Sequence, residues 1–370
     1  MQITQIKMFD AHHGWAVAQA GADLVDHILV TADGGSTWQD RTPLNAVGQP
    51  ASGRFTADVY FGDLQDAWVM FGNSSAPAGD QPLTVWFTKD GGTTWTQSSP
   101  LDMSGIPAAF YVPSSLGFLD NQQFGWLLIH LGAGMMHDYI AGFITLDGGA
   151  NWQIIINPMV NTPLMACPKT GFVFTSQTDG WLTGNCPGLM PTLVFFQSTD
   201  GGNVWNPITL PAASDMPAAF SPDQLGNNCG VPSLEITQPG NFMLDLTCIN
   251  FDLNQASTWL YNSPDGGVTW NSLAASEPYG SFDFLNAQQG WQIGMQINDP
   301  SAPAEIFATH DGGSTWEHVI NVNWHGDMDF IDAQNGWVVA RNGDQIALVY
   351  SSDGGKSWQE LQPSIGQPQP

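Results

Sequence analysis

Positive charge is scarce in this chain: seven Lys and Arg stand against 34 Asp and Glu in 370 residues, a formal charge of −27 at pH 7. So acidic a surface repels phosphate backbones and anionic headgroups, which excludes nucleic acid and anionic membranes as partners. It also repels itself at neutral pH, and that repulsion eases as carboxylates protonate. Apolar runs long enough to span a bilayer are missing, so membrane insertion is not expected. Only four cysteines occur, none in Cys-x-x-Cys spacing, and His137, His310, His318 and His325 show no ligand spacing. No metal and no other cofactor is therefore expected; calcium at an acidic loop would fall to Asp327 and Asp329. No glycine-rich phosphate cradle precedes a helix, and no serine-hydrolase elbow is present.

What the chain has is repetition. A hydroxyl residue, an Asp two positions on, two glycines and a Trp recur seven times in one register, centred on Asp33, Asp90, Asp147, Asp200, Asp265, Asp311 and Asp353. A period of about 50 residues marks a propeller or solenoid. Asp-Gly and Gly-Gly supply positive φ at a tight hairpin, the Asp carboxylate accepts the turn's N–H groups, and the Trp packs beneath. A second repeat precedes the boxes. Met8…Gly14-Trp15, Phe61…Ala67-Trp68, Leu119…Gly125-Trp126, Phe174…Gly180-Trp181, Phe284…Gly290-Trp291 and Phe330…Gly336-Trp337 share one spacing, and the fifth unit has Asn241-Phe242-Met243 instead. Each reads as strand, turn, strand, with period-2 apolar residues such as Phe282 and Phe284.

The box resembles the Asp-box (BNR) repeat of the seven-bladed β-propeller superfamily, over the whole length of the chain. In pattern it is nearest to photosystem II assembly-factor-like, sialidase-like and xyloglucanase-like propellers. That resemblance implies an all-β fold: one seven-bladed propeller of four-stranded antiparallel blades, with the box joining the third and fourth strands. The blades fall near 1–41, 54–98, 113–155, 168–208, 230–273, 280–319 and 326–362. The box residues are then structural, far from the ligand face. No strand is left over at the ends, so blades one and seven are expected to close by face packing, helped by Trp15 and Trp337.

Cys167 and Cys186, and Cys229 and Cys248, are each 19 residues apart and bracket the first two strands of blades four and five. In an antiparallel hairpin such positions meet, which predicts two local disulfides and an oxidising compartment. The expected location is secreted or extracytoplasmic, with the leader peptide absent from this sequence, and the expected state is a monomer.

Function is expected on the face opposite the boxes, where long connections (42–54, 72–83, 98–113, 131–139, 157–168 and 206–232) cluster over blades two to five. Eight of the 13 methionines are assigned to the loops of that face: Met103, Met135, Met136, Met159, Met165 and Met216 in these connections, and Met190 and Met295 outside them, with Phe110, Tyr111, Tyr139 and Phe220. Flexible thioethers suit adaptable apolar surfaces, which points to a protein or ligand partner; the alternative is that the loops bury their own apolar side chains.

Catalysis is the rival reading. A sialidase-like site needs three arginines; this chain has only Arg41, Arg54 and Arg341, and no Arg-Ile-Pro before the first box. Arg54 and Arg341 could reach the upper face and hold a carboxylate or sulfate, though pairing to Asp is the commoner use. A glycoside hydrolase on a neutral polysaccharide needs only two carboxylates across a cleft and aromatic platforms. Polar parity of the inner strands points Asp58, Glu235, Asp283, Asp327 and Asp329 toward the channel or the blade interfaces. The best constellation is Asp283, Asp327, Asp329 and Glu235, beside Trp324, His325 and Tyr279. Structural use of these acids is the competing account.

Overall fold

The computed structural model describes residues 1–21, 24–43, 53–81, 83–134, 136–187, 193–220, 227–250, 252–276, 279–295 and 302–366. Its strands form seven antiparallel four-stranded units in six hydrogen-bonded sheets. The inner strands are Gln2–Met8, Thr56–Phe61, Val112–Phe118, Lys169–Phe174, Leu234–Gln238, Tyr279–Phe284 and Met328–Phe330. Each is followed outward by three more strands, and successive units share apolar clusters around a closed β-propeller. The face between units one and seven holds Ile6, Met8, Leu29, Trp38, Trp337 and Leu348.

Every box takes the geometry its residues dictate. In the first, Asp33 accepts the N–H and hydroxyl of Thr37 at 2.8 and 2.7 Å, and Thr31 Oγ1 accepts the N–H of Gly35 at 3.0 Å. Both glycines have positive φ in all seven copies. The second glycine has a further reason: a Cβ on Gly267 would run into the Trp181 ring of the preceding unit. The Gly-Trp tryptophans also reach forward. Trp68, Trp291 and Trp337 donate Nε1–H to Gly148, Gly354 and Gly34 of the next unit's box at 2.8, 3.1 and 3.1 Å. Trp15 packs with Phe55, Phe61 and Ala67 and donates to the Asp63 carbonyl, so it serves the joint of units one and two, not the closure expected of it. Trp337 does serve the closure.

The ends differ from the sequence expectation in a second way. Ser364–Ile365 pairs parallel with Thr37–Asp40 and makes the first sheet five-stranded, with Gly366 donating to the Trp38 carbonyl at 2.8 Å. Face packing is therefore supplemented by a C-terminal strand on the outer edge of unit one.

Units four and five share one sheet, because Asn227–Gly230 pairs with both Gly180–Pro187 and Asn241–Asn250. Both disulfides form, Cys167–Cys186 and Cys229–Cys248, and Cys186 and Cys229 are themselves strand partners. Two buried disulfides fit a chain that folds in an oxidising compartment. Replacing Cys229 and Cys248 together by Ser is expected to lower the unfolding free energy by about 3 kcal/mol, the loop-closure value for a loop of that size. Urea denaturation with and without reductant measures it.

Candidate functional site

Four of the five acids the sequence singles out, Asp58, Glu235, Asp283 and Asp329, lie at the joints between units. Asp283 Oδ2 accepts the N–H of Phe330 at 2.8 Å, and Asp329 Oδ2 accepts that of Met8 at 2.6 Å. The Phe284 amide lies beside Glu235 and favours its charged form, and Asp58 Oδ2 accepts the N–H of Leu116 at 2.8 Å. Two acids that inner-strand parity does not reach do the same from third strands: Asp26 to Ala57 at 3.1 Å and Asp138 to Lys169 at 2.8 Å. Among the described residues five of the seven joints thus carry a carboxylate bonded to the main chain of the next inner strand, and at a sixth Glu235 lies beside the Phe284 amide. The seventh, between units four and five, has the bridging strand, the disulfides and hydroxyl donors, with Thr170 bonding the Val231 carbonyl and Thr183 that of Pro232.

Glu235, Asp283 and Asp329 occupy equivalent positions in units five, six and seven, paired with Met243, Trp291 and Trp337 of the second strand. Lys7 holds that position in unit one and donates Nζ to Asp329 Oδ1 at 2.7 Å. The result is a ladder, Glu235–Asp283–Asp329–Lys7, around one side of the axis. Burial and the neighbouring Asp283 and Asp245 charges push Glu235 up to about 8. Burial raises Asp283 to about 7 against the pull of the Phe330 amide, and burial raises Asp58 to about 7. Lys7 is raised: burial opposes this, but the Asp329 charge and hydrogen bond outweigh it.

The remaining candidates are dispersed. Asp327 is exposed. Tyr279 opens its strand opposite Met295. Trp324 packs edge-on against Trp358, ring centres 5.4 Å apart, beside a cleft of about 240 Å³ lined also by Asn323, Asn342, Gln345 and Glu360. None of the ladder acids lines that cleft. His325 and Arg341 pair through their backbones, and the Arg341 guanidinium donates to the Thr4 carbonyl. Arg54 donates to the Ala20 and Val25 carbonyls and lies 3.7 Å from Asp26. Both arginines are tied into joints. Among the described residues no group of three His, Cys, Asp or Glu is arranged to hold a metal.

On the long-loop face, most of the apolar side chains turn inward. Tyr111, Met165 and Phe220 are buried, Phe110 is half-buried, and Met136 packs on Cys167 and Cys186. Met159, Val160 and Tyr139 stand exposed, with Tyr139 stacked on His137. Met135 and Met190 lie outside the described residues. Composition could not separate these cases, because it does not say which way a loop folds.

The family model of the BNR/Asp-box repeat matches residues 349–360, the seventh box and its flanking strands. The chain is 24% identical over 153 residues to "Photosystem II stability/assembly factor HCF136, chloroplastic" of Arabidopsis thaliana, a stretch covering 41% of this chain and 32% of that protein. It thus spans about a third of the length of that curated relative. Among solved structures, "YCF48 bound to D1 peptide" superposes with a TM-score of 0.54 at 16% identity, covering 95% of this chain and 91% of the other. The oligogalacturonate lyase VPA0088 of Vibrio parahaemolyticus superposes at 0.62 with 8% identity, over 95% and 88%. At such identities the likeness is one of fold. Seven in-register boxes with one shared turn geometry, set in antiparallel four-stranded units, give the chain an Asp-box β-propeller fold, and the BNR/Asp-box repeat model matches it at the last of those boxes.

Proposed function

We propose that this propeller is an extracytoplasmic binding module whose partner is a protein segment, engaged on the long-loop face. The observation that carries this reading is the commitment of the inner carboxylates. Asp283 and Asp329, two of the acids best placed for glycoside hydrolysis, each hold a neighbouring main-chain N–H, Asp329 also holds Lys7, and Glu235 lies beside the Phe284 amide. A catalytic pair must instead flank the scissile bond, with room for water or a sugar ring between them. The likeness in outline to YCF48, whose structure holds a bound D1 peptide, supports the same reading. Exposed Tyr139, Met159 and Val160 supply adaptable contacts, and the acidic surface favours a neutral or basic segment.

Glycoside hydrolysis is the second reading, favoured by one observation: Asp283 and Glu235, on consecutive inner strands, are raised to about 7 and 8, as a general acid requires. Mass spectrometry of products from neutral polysaccharides incubated with the protein at acid and neutral pH separates the two. The binding reading expects no released oligosaccharide, and cross-links from a captured partner on 131–139 and 157–168. Oligosaccharides released by the native chain and not by Asp283→Asn would replace it with the hydrolase.

A further inference from the structure

The first three strands of unit three bring a serine, a histidine and an aspartate into line. Ser114 lies on Val112–Phe118, His130 on Gly125–Gly134 and Asp138 on His137–Thr145. Ser114 Oγ is 3.0 Å from His130 Nε2, and His130 Nδ1 is 2.9 and 3.1 Å from the two oxygens of Asp138. Access is graded along the chain of bonds: Asp138 is buried, the His130 side chain is 22% exposed and Ser114 is half-buried. Hydroxyl, imidazole and buried carboxylate in this order are the parts of an activated nucleophile, recognised by geometry and not by position in a motif.

Two further features fit that use. Asp138 is fixed from its other side by the N–H of Lys169. Burial acts to raise its pKa, yet the His130 bond and charge and the Lys169 amide and charge hold it below the usual carboxylate range. It is therefore ionised and aimed at Nδ1, which leaves Nε2 as the acceptor for the Ser114 proton. Beside the serine, Ser115 has φ +56°, inside a register shift between the first two strands. A non-glycine residue in the left-handed region is uncommon, such strain concentrates at functional sites, and a bulge re-aims neighbouring side chains.

We propose that Ser114 is the nucleophile of an acyl-transfer site, with His130 as its general base and Asp138 as the residue that orients His130. The substrate class is an uncharged carboxylic ester. Asp58, whose carboxyl holds the Leu116 amide two residues from Ser114 and interacts with His130, adds acid to the surroundings and disfavours an anionic acyl group. Ser114 Oγ attacks the ester carbonyl carbon while its proton passes to His130 Nε2. The tetrahedral adduct collapses with cleavage of the C–O bond, and the leaving alcohol takes the proton from Nε2. Water then attacks the acyl-serine with His130 again accepting a proton, releasing the carboxylic acid and restoring Ser114.

The full chain is tested with p-nitrophenyl acetate at about pH 7.5 and, separately, with a fluorophosphonate whose phosphorus bonds Ser Oγ as fluoride leaves. The site predicts turnover above buffer and a single phosphonyl adduct mapped to Ser114. Ser114→Ala, which removes one oxygen from a half-buried strand position, should keep the native circular dichroism and melting temperature, lose the adduct and cut turnover at least about 100-fold, the range for a base-activated step. His130→Gln should lose both as well. Turnover that survives Ser114→Ala, an adduct on another residue, or no adduct on the folded native chain overturns the proposal. None of these results depends on whether a protein partner binds the long-loop face.

Discussion

Asp329→Ala lowers the unfolding free energy by about 2–3 kcal/mol, and Asp329→Asn by less than half of that. The alanine leaves the N–H of Met8 without its acceptor in a buried setting, the larger part of the loss. It also removes the partner of Lys7, whose side chain is 50% exposed and can turn to water, so that part is small. Asparagine keeps an oxygen for Met8 and gives up only the charge. The site matters beyond its size because it closes the ring: Met8 belongs to the first unit and Asp329 to the last, 321 residues apart. Denaturation of the two variants beside the native chain reads the difference directly. Equal losses would mean that the charge on Lys7, and not the clasp, is what Asp329 supplies.

Stability is expected to peak in mildly acidic solution. Asp58 and Asp283 sit at about 7 and Glu235 at about 8 in the folded chain, above their unfolded values. The folded state therefore holds protons that the unfolded chain releases. Their contribution is complete below about pH 4, where unfolded carboxylates are also protonated, and is lost as pH rises through 7 to 8. The box aspartates act in the opposite sense. Asp90, Asp200, Asp265, Asp311 and Asp353 are lowered, chiefly by the N–H or hydroxyl groups they accept. Asp33 and Asp147 are lowered too: burial opposes this, but the same turn hydrogen bonds outweigh it. The contribution of all seven is present above about pH 4 and lost as pH falls through their folded values. The two trends bracket a maximum between about pH 4 and pH 6, and self-repulsion of 34 acids against seven cations steepens the alkaline side. Urea midpoints across the pH range measure the curve.

The repeating parts of this architecture are local, and that is why they are legible in sequence. A box is a turn whose φ, hydrogen bonds and ring packing all lie within eight residues, as Thr31 to Trp38 show. The disulfides are legible for the same reason, since each pair lies within 19 residues along the chain. What joins one unit to the next is not local. Parity of the inner strands points Asp58, Glu235, Asp283 and Asp329 toward the interfaces, but their acceptor role appears only once the neighbouring main chain is in place. Asp26 and Asp138, on third strands, give no sequence signal at all. Ser364–Ile365 is two residues long in a Gln- and Pro-rich end and carries no strand pattern. Ser114, His130 and Asp138 escape for the same reason: three strands bring them together, and no elbow motif marks the serine.

The inner carboxylates have one role, as protonated or paired clasps between blades. The most direct test of that role compares the native chain with the Glu235→Gln, Asp283→Asn double variant by urea denaturation at about pH 5 and pH 8.5. Neither amide can ionise, and the asparagine keeps an oxygen for the Phe330 N–H that Asp283 accepts. The clasp account predicts that the variant matches the native chain at the acid pH and is more stable at the alkaline pH, by at least about 1 kcal/mol, since each pKa unit is worth roughly that much. An identical fall in stability for both proteins between the two pH values would contradict it.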